Sequence, residues 1–289
     1  MASAPPPPPS PLVFGVLALQ GGFLEHVSHL RRLGLRAERV LSVRTPEQLA
    51  RVDALVIPGG ESTAIGNLAA QAGLLEPLRE WVRARRPTWG TCAGLVMLAE
   101  RAEGTKAGGQ PLLGGLDATV SRNFFGAQLA SFEAPLEVAE AEAAALRDAG
   151  DSAGAAAAAA VAAAAGAAAP PAFVGVFIRA PAILEHGAGV TPVAWVSRAA
   201  GGGARVLVAA RVGDHLLATA FHPELTPSVG FHRLFAGMAA RAAGRPLALE
   251  SGGGGRLPGA GDGDGVSGAG PLQAGASAVD ADIAARRVR

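Results

Sequence analysis

Gly90-Thr91-Cys92-Ala93-Gly94, reached from the β-prone run Thr88-Trp89, decides the fold. G-x-C-x-G between a strand and a helix has the form of a nucleophile elbow, a turn so tight that its flanking positions must lack side chains. The helix that follows is expected from about Ala93 to Arg101. An elbow of this kind sits at the carboxyl edge of a parallel sheet, where ligand sites of open α/β sheets gather. The surrounding sequence alternates to match. Val13 to Leu19 reads as a buried first strand, followed by a helix from about Leu24 to Leu33 that Gly34 ends. Ala54 to Ile57 reads as a second buried strand that ends at Pro58-Gly59-Gly60 and opens a helix near Thr63. Further strands are expected at Phe173 to Ile178, Thr191 to Val196, Val206 to Val212 and Leu216 to Phe221, with a closing helix from about Ser228 to Ala242. The implied architecture is α/β, a three-layer sandwich around a mostly parallel, flavodoxin-like sheet.

Composition narrows the function classes. Among 289 residues, 25 Lys+Arg stand against 24 Asp+Glu, so a net charge of +1 gives no footprint for nucleic acid or an acidic membrane surface. Cys92 is the only cysteine, which excludes an intramolecular disulfide and a cysteine-based zinc site. Lys106 is the only lysine, so lysine imine chemistry on a sugar carbonyl would have one candidate. The opening MASAPPPPPS lacks the charged and apolar regions of a secretory signal, and a cytoplasmic location is expected. Ala153 to Ala169 is nearly all Ala with two Gly and, without Leu, Ile or Phe, makes a poor membrane span.

The chain divides into a Pro-rich segment 1–11, a domain 12–249 with an Ala-rich insert at about 139–170, and a Gly-rich tail 250–289. Insert and tail lack large apolar side chains in an amphipathic stripe. Both read as solvated appendages.

A thiol nucleophile needs a base, and His222-Pro223-Glu224 supplies one at the end of an expected strand. In an extended chain residues i and i+2 share a face, so Glu224 can orient one imidazole nitrogen while the other faces Cys92. That is the logic of a triad in the order Cys, His, Glu. The helix N-terminus after Cys92 favours a thiolate and can cradle an oxyanion, although a lone cysteine is also commonly a small core residue. Pro58-Gly59-Gly60-Glu61-Ser62 offers backbone N–H groups for an oxyanion hole, or a plain type II turn.

The strings LALQGGFLEH, PGGESTAIGNL, WGTCAGLVMLAE, SRNFFGAQLASFEAPL, GVFIRAPAI and AFHPELTPSVGFHRLF, spread over about residues 12–245, resemble the glutaminase subunit of pyridoxal 5'-phosphate synthase, within the class I (triad) glutamine amidotransferases. The resemblance implies hydrolysis of L-glutamine by Cys92, His222 and Glu224. It implies that Gly59, Gly60 and Glu61 line the substrate and oxyanion site, that Arg122, Ile178 and Arg179 hold the substrate, and that Gln20 lies beside the oxyanion hole. No cofactor or metal is implied. The implied partner is the synthase subunit, in a complex of twelve copies of each, with neither nucleic acid nor membrane involved.

Two positions depart from the family pattern, Ala127 where a basic residue is usual and Pro227 where an acidic one is usual. His26, His29, His186, His215 and His232 show no ligand spacing for a metal, and His26 with His29 reads as a solvated or interface face of the first helix. Two other readings stand beside the glutaminase subunit: a stand-alone γ-glutamyl cysteine hydrolase, and a catalytically silent regulatory homologue.

Overall fold

Phe14, Val16 and Leu17 are enclosed on every side, as a strand covered by helices on both faces must be. They form β1 (Phe14–Leu17), followed by α1 (Phe23–Arg32), β2 (Val40–Val43), the single turn α2 (Pro46–Leu49) and β3 (Ala54–Ile57). The computed structural model describes residues 10–104, 109–126, 131–146, 151–165, 171–197 and 204–250. Next come α3 (Ser62–Gln71), α4 (Leu75–Arg83), β4 (Thr88–Thr91), α5 (Ala93–Leu98), β5 (Ala99–Glu103) and β6 (Leu116–Ser121). A small antiparallel pair and the insert follow: β7 (Phe132–Pro135), β8 (Glu137–Val138), α6 (Glu140–Leu146), α7 (Ser152–Ala165) and β9 (Val174–Phe177). The chain closes with β10 (Ala182–His186), β11 (Thr191–Ser197), β12 (Arg205–Val212), β13 (Leu216–Thr219) and α8 (Gly230–Ala243).

The sheet runs β2-β1-β3-β4-β13-β12-β10-β6-β5. From β2 to β13 every pairing is parallel; beyond β13 the pairings through β12, β10 and β6 are antiparallel, and β5 joins β6 in parallel. The register sets Ile57 beside Gly90 and Thr219 beside Thr91. The three segments that leave these strands, at Pro58, Cys92 and Ala220, therefore emerge at one edge.

Alternation along β4 assigns the two helical layers. Trp89 and Thr91 face α1 and α8: the Trp89 ring meets His26, His232 and Phe235, and Thr91 Oγ1 lies 3.2 Å from His26 Nε2. Thr88 and Gly90 face the other layer, where Trp81 of α4 donates to Thr88 Oγ1 at 3.0 Å and α5 packs over Gly90. The helices dock through apolar stripes at helical spacing, such as Leu78, Trp81 and Val82 on α4 and Phe231, Leu234, Phe235 and Met238 on α8.

Three expectations are corrected. The helix after Cys92 stops at Leu98, because Ala99 turns extended (φ −67°, ψ 146°) and residues Ala99–Glu103 pair with β6. The strand at Phe173 to Ile178 exists, but as β9 it pairs only with β7, outside the main sheet, with Phe177 stacked on Phe132 at 4.7 Å. The Ala-rich insert is not a solvated appendage where it is described. Glu142, Ala143 and Leu146 of α6 are buried, as are Ala158 and Ala162, four residues apart on α7. Small side chains at i and i+4 let a helix approach closely even without large apolar groups. A polar lock completes the docking: Asp151, 7% exposed, accepts from Ser228 Oγ at 2.5 Å and Val229 N at 3.0 Å. The tail after residue 250, the Pro-rich start and Ala127 lie outside the described residues. No described helix is long and apolar enough to cross a membrane.

Candidate active site

Cys92 sits between β4 and α5 at φ 46° and ψ −99°, a conformation that side chains other than glycine rarely adopt. The flanking glycines explain how the chain tolerates it. A Cβ on Gly90 would stand 2.5 Å from the Gly94 carbonyl carbon and oxygen, and one on Gly94 would collide with the Ile57 carbonyl oxygen. Sequence therefore forces the elbow, and the elbow holds the thiol at the sheet edge. Arg179 shares the property, with φ 45°, and also lines the site. Backbone strain at two residues of one cavity marks it as functional.

His222 follows β13 and is tied to the small sheet by its backbone N–H, which donates to Val176 O at 2.8 Å. Its Nδ1 lies 2.8 Å from Glu224 Oε1. The geometry differs from the extended i, i+2 arrangement expected from sequence, because Pro223–Leu225 forms a 3-10 turn that curls Glu224 back beneath the imidazole. The Glu224 side chain is 1% exposed and that of His222 12%. Burial works against a charged ring, yet a hydrogen bond to the Cys92 side chain and the Glu224 carboxylate outweigh it and raise His222 from 6.5 to about 10. For Glu224 burial pushes upward, and the facing imidazoles of His26 and His222 more than offset it, leaving its pKa below the usual 4.5.

A cavity of about 270 Å³ opens over the sulfur. Gln20, Gly60, Glu61, Cys92, Arg122, Ile178, Arg179 and His222 all line it. Gly59 lies directly behind, since an added Cβ there would strike the His222 ring and stand 3.3 Å from Cys92 Cβ. Every residue singled out from sequence is thus in one place, with Glu224 beneath. Sequence reasoning missed Asn123 and Pro181, which also line the cavity and lie inside the strings SRNFFG and FIRAP.

The Glu61 carboxylate is engaged within the protein. It accepts from Thr63 N at 3.2 Å and Ala64 N at 2.7 Å, capping α3, and pairs with Arg122 Nη2 at 3.0 Å. Burial raises its pKa, but these donors and Arg122 bring it below the usual value. Arg122 also donates to Ser62 Oγ at 3.2 Å, and both residues line the cavity. Gln20 Oε1 accepts from Glu61 N at 2.9 Å, and Gly22 N donates to Gly59 O at 3.0 Å, which fastens the loop after β1 onto the glycines of the oxyanion region.

His26 and His29 are not solvated, contrary to the expectation from sequence: they are 0% and 6% exposed. Helical spacing puts them together, but whether that face meets solvent or protein depends on α8, whose His232 stacks on His29 and lies 2.9 Å from His26. Pro227, one of the two departures, is exposed, and its carbonyl accepts from Arg32 Nη2 at 2.7 Å. A larger cavity of about 460 Å³ between α7 and β9 contains none of the expected site residues.

The sequence profile described as "SNO glutamine amidotransferase family" matches residues 16–148 and 165–241. The chain is 42% identical, over 78% of its length and 84% of the relative's, to a probable pyridoxal 5'-phosphate synthase subunit PDX2 of Arabidopsis thaliana. It is 43% identical, over 78% of its length and 98% of the relative's, to the pyridoxal 5'-phosphate synthase subunit PdxT of Chloroflexus aggregans (strain MD-66 / DSM 9485). A crystal structure of a glutamine amidotransferase superposes with a TM-score of 0.59 at 38% identity, covering 79% of this chain and 99% of that one. The stretch between the two matched blocks, 149–164, contains Asp151 and nearly all of α7.

Proposed function

The chain belongs to the SNO glutamine amidotransferase family, and from that premise we propose that it hydrolyses L-glutamine to glutamate and ammonia and supplies the ammonia to a pyridoxal 5'-phosphate synthase subunit. The observation that carries the reading is the alignment of a strained thiol, an imidazole and a buried carboxylate: Cys92 at φ 46°, and His222 Nδ1 2.8 Å from Glu224 Oε1.

With His222 protonated, Nδ1–H is held by Glu224 and Nε2–H is left for the sulfur and the substrate. The Cys92 thiolate adds to the side-chain amide carbon of glutamine, and the carbonyl electrons move onto oxygen. Backbone donors around Gly59 and Gly60 would receive that charge. As the intermediate collapses, His222 gives its proton to the amide nitrogen, the C–N bond breaks and ammonia leaves. A glutamyl thioester remains. Neutral His222 then takes a proton from water, hydroxide adds to the thioester carbon, and the C–S bond breaks to release glutamate and restore the thiolate–imidazolium pair. Arg122 and Arg179, both in the lining of the cavity, are the cations that would hold the α-carboxylate. Glu61 acts by fixing Arg122 and the start of α3.

The same reading gives a cytoplasmic enzyme working in a complex of twelve glutaminase and twelve synthase subunits, which sedimentation of the two mixed proteins would test. Glutamate release, measured with and without the synthase subunit of a relative, tests the activity itself. Cys92→Ala is expected to abolish release while the protein stays folded and binds glutamine. Release by that variant at the wild-type rate would overturn the assignment of Cys92.

A further inference from the structure

Behind the triad lies a group of buried titratable side chains that the mechanism above leaves idle. His26 of α1 is fully enclosed. Its Nδ1 is 2.9 Å from His232 Nε2, while its Nε2 is 3.2 Å from Thr91 Oγ1 and 3.3 Å from Glu224 Oε2. His29 stacks on His232 at 4.7 Å, and Arg32 Nη1 lies 3.3 Å from His29 Nε2. Among the described residues no group of three or more His, Cys, Asp or Glu converges as a metal site, so the cluster calls for another explanation.

The Glu224 carboxylate supplies one. Its Oε1 accepts the His222 Nδ1–H, and its Oε2 is buried with no well-formed hydrogen bond. A buried carboxylate oxygen left wholly without a donor is costly. The imidazole nitrogen that faces it is His26 Nε2, 3.3 Å away. Facing an ionised carboxylate also fixes the tautomer: an unprotonated Nε2 would set lone pair against lone pair, so His26 carries its proton on Nε2 and accepts at Nδ1 from His232 Nε2–H. Burial drives the His26 pKa down to about 4, so the ring is neutral and adds a directed dipole to the triad without a second full charge.

Resting on the glutaminase reading, we propose that His26 is a positioning residue for the reaction: its Nε2–H holds Glu224 from behind, aiming Oε1 at His222, while His232 fixes the tautomer of His26. The arrangement links the two halves of the site, because α1 begins just after the Gln20-Gly21-Gly22 loop that fastens to Gly59 and Glu61. Groups facing this assembly from each packed element are His29 and Arg32 on α1, His232 on α8 and His222 beside the 3-10 turn.

Two amide substitutions separate positioning from packing. In His26→Gln the terminal amide reaches the place of Nε2; in His26→Asn it reaches only that of Nδ1. The probe is alkylation of Cys92 by a glutamine-shaped diazoketone, followed in the full chain by mass spectrometry from pH 5 to 9, together with glutamate release in the presence of a synthase subunit. His26→Asn is expected to lower kcat and the alkylation rate by about tenfold, with KM within about twofold, and to move the acid limb of the profile to higher pH as Glu224 loses its donor. His26→Gln is expected to recover most of that loss. Equal rates and equal acid limbs in the two variants, or a folded His26→Asn with the wild-type profile, would overturn the proposal. Failure of the diazoketone to label wild-type Cys92 would instead count against the glutaminase reading itself.

Discussion

His222 and Glu224 are separated by one residue in the chain and by 2.8 Å between Nδ1 and Oε1, because a 3-10 turn starting at Pro223 folds the carboxylate under the ring. The contact fixes which nitrogen of His222 faces the sulfur. Glu224→Gln is therefore expected to do more than remove a charge, since an amide can present N–H to Nδ1 and invert the tautomer. Turnover should fall by about 10²–10⁴-fold with the fold retained. The His222 pKa should also drop from about 10, so the basic limb of the rate profile moves to lower pH. A pH series of glutamate release on the purified variant reads both effects.

Cys92 pays in backbone strain for its place at the elbow, and glycine is the residue that would not. Cys92→Gly and Cys92→Ala should be equally inactive, but the glycine variant should be more stable than the alanine one by about 1 kcal/mol, the order of the cost of a strained φ,ψ. Urea midpoints of the two variants check this; identical midpoints would show that the surrounding glycines leave no strain at φ 46°.

The features legible in the sequence are those that follow from local necessity. Gly90 and Gly94 are required by contacts with backbone atoms, so the pattern G-x-C-x-G is enough to reveal the elbow. The parallel strands β1 and β3 are visible because burial on both faces makes them continuously apolar, whereas β4, with a threonine at each end, is placed by the elbow that follows it. The edge strand β5, AERAE, reads as the end of a helix because its exposed face carries charges that suit a helix equally well. His26 can be placed on α1 from its spacing but not against Glu224, since that contact joins residues 198 positions apart and depends on how α1 and α8 share one face. The insert is misleading for a related reason. Alanine gives no amphipathic signal, and the lock at Asp151 is a long-range polar contact.

Burial of neutral His26 makes stability depend on pH. Its folded pKa is about 4 against 6.5 unfolded, so below 6.5 the unfolded chain takes up a proton that the folded one does not. The contribution is complete above pH 6.5 and is lost as pH falls toward 4, by on the order of 3 kcal/mol. His232, whose pKa is also lowered by burial, acts in the same direction. Urea unfolding of wild type between pH 7 and 4.5 should show the decline, and His26→Gln should flatten it while leaving the share due to His232.

Asp151 accepts from Ser228 Oγ and Val229 N, and its Oδ1 accepts from Gly154 N at the start of α7. It thereby ties a segment outside the family-matched blocks to the loop just after Glu224. Asp151→Ala leaves a buried hydroxyl and a buried N–H without their acceptor and uncaps α7, so it should cost about 1–3 kcal/mol. Ser228→Ala removes the hydroxyl partner and should cost less. Thermal unfolding of the two variants tests the order; no loss in Asp151→Ala would mean that α7 contributes nothing to the domain.

Gln20 gives the last prediction, which concerns coupling to the partner. Its Oε1 occupies the N–H of Glu61, and a Cβ on Gly60 would run into that same oxygen. The side chain thus sits on the turn that must present donors to the oxyanion, at the end of a loop containing Gly21 at φ 92°. A surface pressing on this loop would shift Gln20 and Gly59-Gly60 together. The synthase subunit should therefore raise the turnover number more than it alters KM, by up to about 10²–10³-fold, the value of one oxyanion donor. Gln20→Ala uncouples the loop from Glu61 and should remove most of that gain. If the isolated chain already turns over at the rate of the complex, or if Gln20→Ala is activated as strongly as wild type, the oxyanion region is complete without the partner and the loop does not transmit its binding.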